Sequence, residues 1–378
     1  MDDPQRPQNH HFLKGLGYID TGRFDAAVKE FSDAIKIAPS VSQYYEHRAI
    51  AHNHAKRFQK SVQDYTSAIE LEPKRAVLYA SRGEAHFNLQ NYTAAAEDYT
   101  NAILQDPKNA QFYMKRGDIY FQQLQETQKA ILDFSKVIEL SKSNAAKAKG
   151  YHSRGYAYLQ LSDLENALSD CSASINLHPK IPECFVDRST IYLRLNKKQS
   201  ALADLNTALM LKDSPEMYYF RADFYYKVGD VALAIEDITR AIKVQPTAYY
   251  YSFRAEMYNF EKEYKKSIDD YTAAIKLHPN EHSYYSGRGT AYFNWGKYAE
   301  SIQNYSQAIK LDPTNAAYYN DRGDVYITLK KYNSAMEDLN KSIELDPELP
   351  YAYRNRAAIH VANKEFKKAH VDLQLAKK

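Results

Sequence analysis

The chain has almost nothing with which to cross-link itself. Its 378 residues include only two cysteines, Cys171 and Cys184, at no spacing that suggests a zinc site or a redox pair. That excludes a disulfide scaffold and favours a reducing, cytoplasmic compartment. Long hydrophobic runs are missing too. No stretch of about 18 apolar residues occurs, so no membrane insertion is expected. The opening MDDPQRPQNHHFLKG lacks the apolar core of a secretory signal. Charge of one sign is scarce: 50 Lys and Arg against 47 Asp and Glu leave a formal +3, which gives no global case for nucleic acid or membrane partners. Phosphate loops, nucleophile elbows, HExxH and paired-cysteine metal motifs are all absent. No catalytic residue, metal or cofactor is therefore assigned. His47, His52 and His54 in HRAIAHNH come nearest to a metal cluster, but residues 52 and 54 of one helix point about 200° apart. Cys171 and Cys184 read as inert packing thiols.

What the sequence has is repetition. The string YYSGRGTAYF at residues 284–293 returns with small changes along the chain. Aligned on its arginine, the copies carry Arg48, Arg82, Arg116, Arg154, Arg188, Arg221, Arg254, Arg288, Arg322 and Arg356, with gaps of 34, 34, 38, 34, 33, 33, 34, 34 and 34. Lys14 stands one 34-residue step before Arg48 and begins an eleventh copy. Apolar and small residues within a unit fall three, four and seven apart, the period of an amphipathic helix. In one unit Tyr285, Gly289 and Tyr292 share a face of a first helix, and Ser301, Tyr305 and Ala308 a face of a second. Gly296 suits the stop of the first helix, and Pro313 ends the second because its ring cannot continue the hydrogen-bond ladder. Such pairs must stack to bury their apolar faces. The expected organisation is a tail at 1–7, units one to four at 8–141, an irregular junction at 142–147 and units five to eleven at 148–378. Of the four extra residues before Arg154, one falls in the turn LQETQKA and three lengthen the junction, as a hinge or a change of register, or else lengthen a second helix by about a turn.

Sixteen residues after each arginine stands an acid: Arg82 is answered by Asp98, Arg322 by Asp338, and Arg116, one residue further on, by Asp133. The first unit keeps the signs with Lys14 and Glu30, and only Arg288 meets an uncharged partner, Asn304. A half-buried charge persists when paired, so these are read as structural ion pairs between helices, within a unit or across to a neighbour. They are not read as a ladder for phosphate or carboxylate ligands.

The pattern resembles the tetratricopeptide repeat, a 34-residue helix–turn–helix unit with the signature aromatic, Gly, Tyr, Ala, aromatic, Ala, Pro. The resemblance covers roughly residues 8–378. It implies an all-α, right-handed superhelical solenoid of antiparallel helix pairs whose first helices line a concave side. Most of the 34 tyrosines then fall in packing slots, leaving Tyr156, Tyr219, Tyr226, Tyr249 and Tyr351 on the concave side.

On the family's groove positions this sequence places an apolar row that includes Phe87, Phe121, Leu159, Tyr226 and Phe293. One turn earlier lie the acids Glu84, Asp118, Asp223, Glu256 and Asp324. With Asp20, Glu46, Glu183 and Glu216 the acids number nine, against Lys149, Arg194, Lys227 and Arg354. The candidate groove of Glu84, Phe87, Asp118, Phe121, Tyr156, Tyr219, Asp223, Tyr226, Glu256, Phe293 and Asp324 suits a protein or peptide segment, extended or helical, bearing apolar and basic residues. The Hsp70/Hsp90 dicarboxylate clamp is absent, since its lysine and asparagine slots are not so occupied. An asparagine ladder like that of O-GlcNAc transferase arrays is absent too. An acidic groove also argues against RNA. The expected function is a non-catalytic scaffold or adaptor; the alternative is a regulatory or substrate-docking region of a larger enzyme or assembly. The end KKAHVDLQLAKK has no polar capping helix, so Val371 and Leu375 are expected to face outward, from a shortened chain or at a self-association surface.

Overall fold

The computed structural model describes residues 7–377; of the tail expected at 1–7, residues 1–6 lie outside the described residues. Those described form helices and short turns, without strands. In chain order the helices pair as α1 (Pro7–Asp20) with α2 (Phe24–Ile37), α3 (Ser42–His54) with α4 (Phe58–Leu71), and α5 (Ala76–Asn88) with α6 (Tyr92–Gln105). They continue as α7 (Ala110–Gln122) with α8 (Thr127–Leu140), α9 (Asn144–Gln160) with α10 (Leu164–Leu177), and α11 (Pro182–Arg194) with α12 (Lys198–Leu211). Then come α13 (Pro215–Val228) with α14 (Val231–Val244), α15 (Ala248–Phe260) with α16 (Tyr264–Leu277), and α17 (His282–Asn294) with α18 (Tyr298–Leu311). The last pairs are α19 (Ala316–Thr328) with α20 (Tyr332–Leu345), and α21 (Pro350–Ala362) with α22 (Phe366–Leu375). The chain divides into two compact parts, Met1–Asp204 and Leu205–Lys378.

Within each part a second helix packs on the first helix of its own unit and on that of the next. Small residues set the first contact. A Cβ added to Gly117 would lie 2.8 Å from the Phe134 ring, so only glycine lets α7 and α8 approach this closely. Ser301 and Ala308 are fully buried where α18 meets α17, and the Ser301 hydroxyl donates to the Gly289 carbonyl at 2.9 Å. The junction between units is held by tyrosines. Tyr79, Tyr113, Tyr285 and Tyr353 each donate a hydroxyl proton to the carbonyl of the proline ending the preceding second helix, at 3.1–3.2 Å.

Each first helix stops at a residue of positive φ. Gly22, Gly229 and Gly296 fill this site in three units, whereas Lys56, Gln90, Gln125, Ser162, Asn196, Lys262, Lys330 and Lys364 fill it in the others. The left-handed conformation costs a residue with a Cβ more than it costs glycine, and packing on both sides sustains it. The extra residues at the junction do not lengthen a second helix: α8 has the usual 14 residues, while α9 has 17. They add about a turn to the start of a first helix, which Ser143 caps by accepting from the Ala146 amide. Val371 is 56% and Leu375 37% exposed on α22.

Candidate functional site: ion-pair joints and a cleft on the first helices

The recurrent arginines tie three helices together. Arg82 donates from Nε and Nη2 to the two oxygens of Asp98 at 2.9 and 2.7 Å, within its own unit. Its remaining Nη1 donates to Thr66 Oγ1 at 3.0 Å, on the second helix of the preceding unit. Arg322 repeats this with Asp338 at 2.8 and 2.7 Å and Ser306 at 2.8 Å. The third partner is always two residues after an acid slot: Ser32, Thr66, Thr100, Ser135, Ser172, Asn206, Thr239, Thr272, Ser306 and Asn340. Several of these hydroxyls donate in turn to the carbonyl four residues back, as Thr66 does to Val62 and Ser135 to Ile131, so these hydroxyls are bonded both as acceptor and as donor. The bidentate carboxylate raises the Arg82 and Arg322 guanidinium above its ordinary value. In the first unit Glu30 takes Lys14 and His11 instead, each at 2.7 Å. Arg288 has Asn304 Oδ1 at 2.8 Å and Thr272 Oγ1 at 2.9 Å, and burial lowers its pKa.

In Met1–Asp204 the first helices carry two adjoining clefts. One, of about 240 Å³, is lined by Glu84, Phe87, Asn88, Tyr99, Lys115, Asp118, Ile119 and Gln122. The other, of about 930 Å³, shares Asp118 and Gln122 and adds Phe121, Gln125, Thr127, Phe134, His152, Ser153, Tyr156, Gln160, Leu161 and Asp187. Five of the sequence-selected groove residues, Glu84, Phe87, Asp118, Phe121 and Tyr156, thus meet along α5, α7 and α9. Phe87 is 39% and Tyr156 38% exposed, and the Phe121 and Tyr156 rings lie edge to face at 5.5 Å. Burial pushes the Asp118 carboxyl up, against the pull of the more distant Lys149 and Lys115. His152 Nε2 meets Asp187 Oδ2 at 2.6 Å, joining α9 to α11. Burial works against the charged imidazole, but the bond to Asp187 prevails and the His152 pKa is raised to about 10.

In Leu205–Lys378 a second group surrounds Tyr219. Its hydroxyl is 2.6 Å from that of Tyr249, and its ring lies 5.2 Å from Phe253, which packs at 5.9 Å on Tyr226. Tyr249 is 52% exposed. Asp223 is paired with Lys227 at 2.6 Å on the same helix, while Glu256 stands exposed one unit on. Phe293 and Asp324 are both half-buried; Phe293 packs at 5.8 Å on Tyr298, and burial pushes the Asp324 carboxyl up.

Two residues placed in the groove by sequence position belong elsewhere. Leu159 is 5% exposed and packs with Ala167, Cys171 and Ile191. Cys171 is smaller than the aromatics Tyr99 and Phe134 that fill the equivalent slot, and Leu159 turns into the space. Glu46 is also buried and forms an ion pair with Arg75 at 2.8 Å, so it offers a ligand no free charge. The sequence reading missed His152 and the amides of Asn88, Gln122 and Gln160. The three amides sit one repeat apart beside the apolar row, a recurrence that could have revealed them.

The three neighbouring histidines diverge. His47 bonds the Gln43 carbonyl, His52 is buried beside Asp64, and His54 stacks on Phe24. No group of three or more potential metal ligands occurs among the described residues. Cys171 and Cys184 are both fully buried free thiols, and burial pushes the Cys171 thiol up. No described helix is long and apolar enough to cross a membrane.

A succession of antiparallel helix pairs, each built on the same 34-residue plan, defines an all-α repeat solenoid. Tetratricopeptide repeat models match residues 12–76, 81–145, 148–181 and 215–247, and a TPR repeat model matches 291–330 and 323–364. The chain belongs to the tetratricopeptide repeat family. No curated protein matches it in sequence. Among solved structures it is similar in fold to yeast Tom70, with a TM-score of 0.51, 14% identity, and 99% of this chain and 92% of that one covered. A tetratricopeptide repeat protein from Parabacteroides merdae aligns with a TM-score of 0.49 and 18% identity, covering 64% of this chain and 94% of that one. MamA from Desulfovibrio magneticus aligns with a TM-score of 0.41 and 21% identity over 44% of this chain and 95% of that one.

Proposed function

We propose that the protein is a non-catalytic scaffold or adaptor that holds a segment of another protein along the exposed face of its first helices. The observation that carries this is the pair of adjoining clefts over α5, α7 and α9. There Phe87, Phe121 and Tyr156 stay accessible although a repeat core was available to bury them, and desolvated acid stands beside them. Exposed rings that are already ordered contribute binding area at low entropic cost. A carboxylate raised by burial gains from an incoming cation. The partner segment is accordingly one with apolar anchors and basic residues. The cluster of Tyr219, Tyr226, Tyr249 and Phe253, with Glu256 exposed one unit on, supports the same chemistry in Leu205–Lys378. Membership of a family of protein-interaction repeats supports a role without catalysis.

The test is affinity capture with quantitative mass spectrometry, comparing the intact chain with a Phe121→Ala, Tyr156→Ala variant. Leu132→Ala, on the exposed side of second helix α8, serves as the control. Proteins held by the intact chain and by the control, but reduced at least about tenfold by the double change, are the expected result. Capture that is indifferent to both groove rings would overturn the proposal.

A further inference from the structure

We propose that the larger cleft binds an arginine side chain of the partner segment, with its guanidinium on the Asp118 carboxylate and its stem across the Phe121–Tyr156 ring pair. This rests on the groove reading above and gives the occupant a particular residue. The protein's own joints supply the argument. Arg116 is held by both oxygens of Asp133 while its guanidinium carbon lies 5.8 Å from the Tyr113 and Tyr120 ring centres. Arg154 lies likewise between Asp170 and the rings of Tyr151 and Tyr158, at 5.6 and 5.9 Å. Carboxylate plus tyrosine face is therefore the setting in which this chain repeatedly holds a guanidinium.

The larger cleft presents the same two components without the cation. Asp118 is half-buried and has no hydrogen bond or ion pair among the described residues, and Tyr156 shares the lining with it. The other charged groups there do not substitute. His152 and Asp187 are engaged with each other, while Lys115 and Lys149 are exposed and act on Asp118 only at a distance. Arginine is favoured over lysine because a planar fork bonds both carboxylate oxygens and lies flat on a ring. The amides of Gln122 and Gln160 at the margin suit the main chain on either side of that residue.

The experiment measures binding of three probes to the full chain by saturation-transfer NMR: N-acetyl-arginine methylamide, its neutral citrulline counterpart and its lysine counterpart. Arginine is expected to bind at least about tenfold tighter than citrulline, as a charge-assisted bidentate contact requires, and tighter than lysine. Asp118→Asn, its helical circular dichroism unchanged, should reduce arginine to the citrulline level, whereas Glu236→Gln on second helix α14 should leave all three as they were. Equal binding of arginine and citrulline, no transfer to arginine at all, or indifference to Asp118→Asn would overturn the proposal. If arginine fails while the Phe121→Ala, Tyr156→Ala variant still loses captured partners, this inference falls alone. If neither probe nor partner depends on the cleft, the groove reading falls with it.

Discussion

The units of Arg288 and Arg322 are consecutive and built on the same repeat plan, yet they divide their assets differently. In the second, Arg322 grips both oxygens of Asp338. In the first, Asn304 offers Arg288 one oxygen and turns its amide nitrogen to the Glu300 carbonyl at 2.8 Å. Burial then lowers the Arg288 pKa, where the Asp338 carboxylate raises that of Arg322. The turns show the reverse inequality. Gly296 occupies the positive-φ site of the first unit without strain, and Lys330 that of the second at a cost. Each unit is therefore weak where its neighbour is strong, and the fold tolerates both because each unit is held on two sides.

Breaking the stronger pair should give the largest effect. Asp338→Ala is expected to lose about 3–5 kcal/mol, because Arg322 would remain largely buried without its anion. Hydrogen exchange over α19 and α20 would measure the loss. A double-mutant cycle with Arg322→Met should show coupling, and additive losses would refute the pairing. Equalising the two units gives the next effect. Asn304→Asp completes the missing joint and should stabilise α17 and α18 by about 1.5–3 kcal/mol, the value of a charged hydrogen bond, seen as slower exchange there. The smallest change sharpens the turn: Lys330→Gly should gain about 0.5–1 kcal/mol in chemical denaturation by relieving the left-handed lysine. A loss on that substitution would mean that the lysine side chain contributes more than its backbone costs.

Much of this was legible in the sequence, for a physical reason. A 34-residue period with proline at its end leaves little choice but stacked helix pairs, and an acid sixteen residues from an arginine is a spacing that a turn between two helices can close. The hydroxyl or amide two residues past each acid slot was equally regular, yet serine, threonine and asparagine on a helix invite no special reading until the guanidinium is seen to reach back for them. The cleft was legible in part. Glu84, Phe87, Asp118, Phe121 and Tyr156 follow from register alone, but Leu159 does not, because its orientation depends on the volume that Cys171 leaves empty on another helix. Glu46 escaped for a similar reason: Arg75 lies in a connection, at a position where no other unit carries an arginine.

The three-way grip of each arginine has a consequence for how such a chain lengthens. One repeat carries a complete hook, the guanidinium, and a complete eye, the hydroxyl or amide beyond its acid. Copying a stretch of 34 codons therefore delivers a part that already fits the parts on either side of it, with no compensating change required of its neighbours.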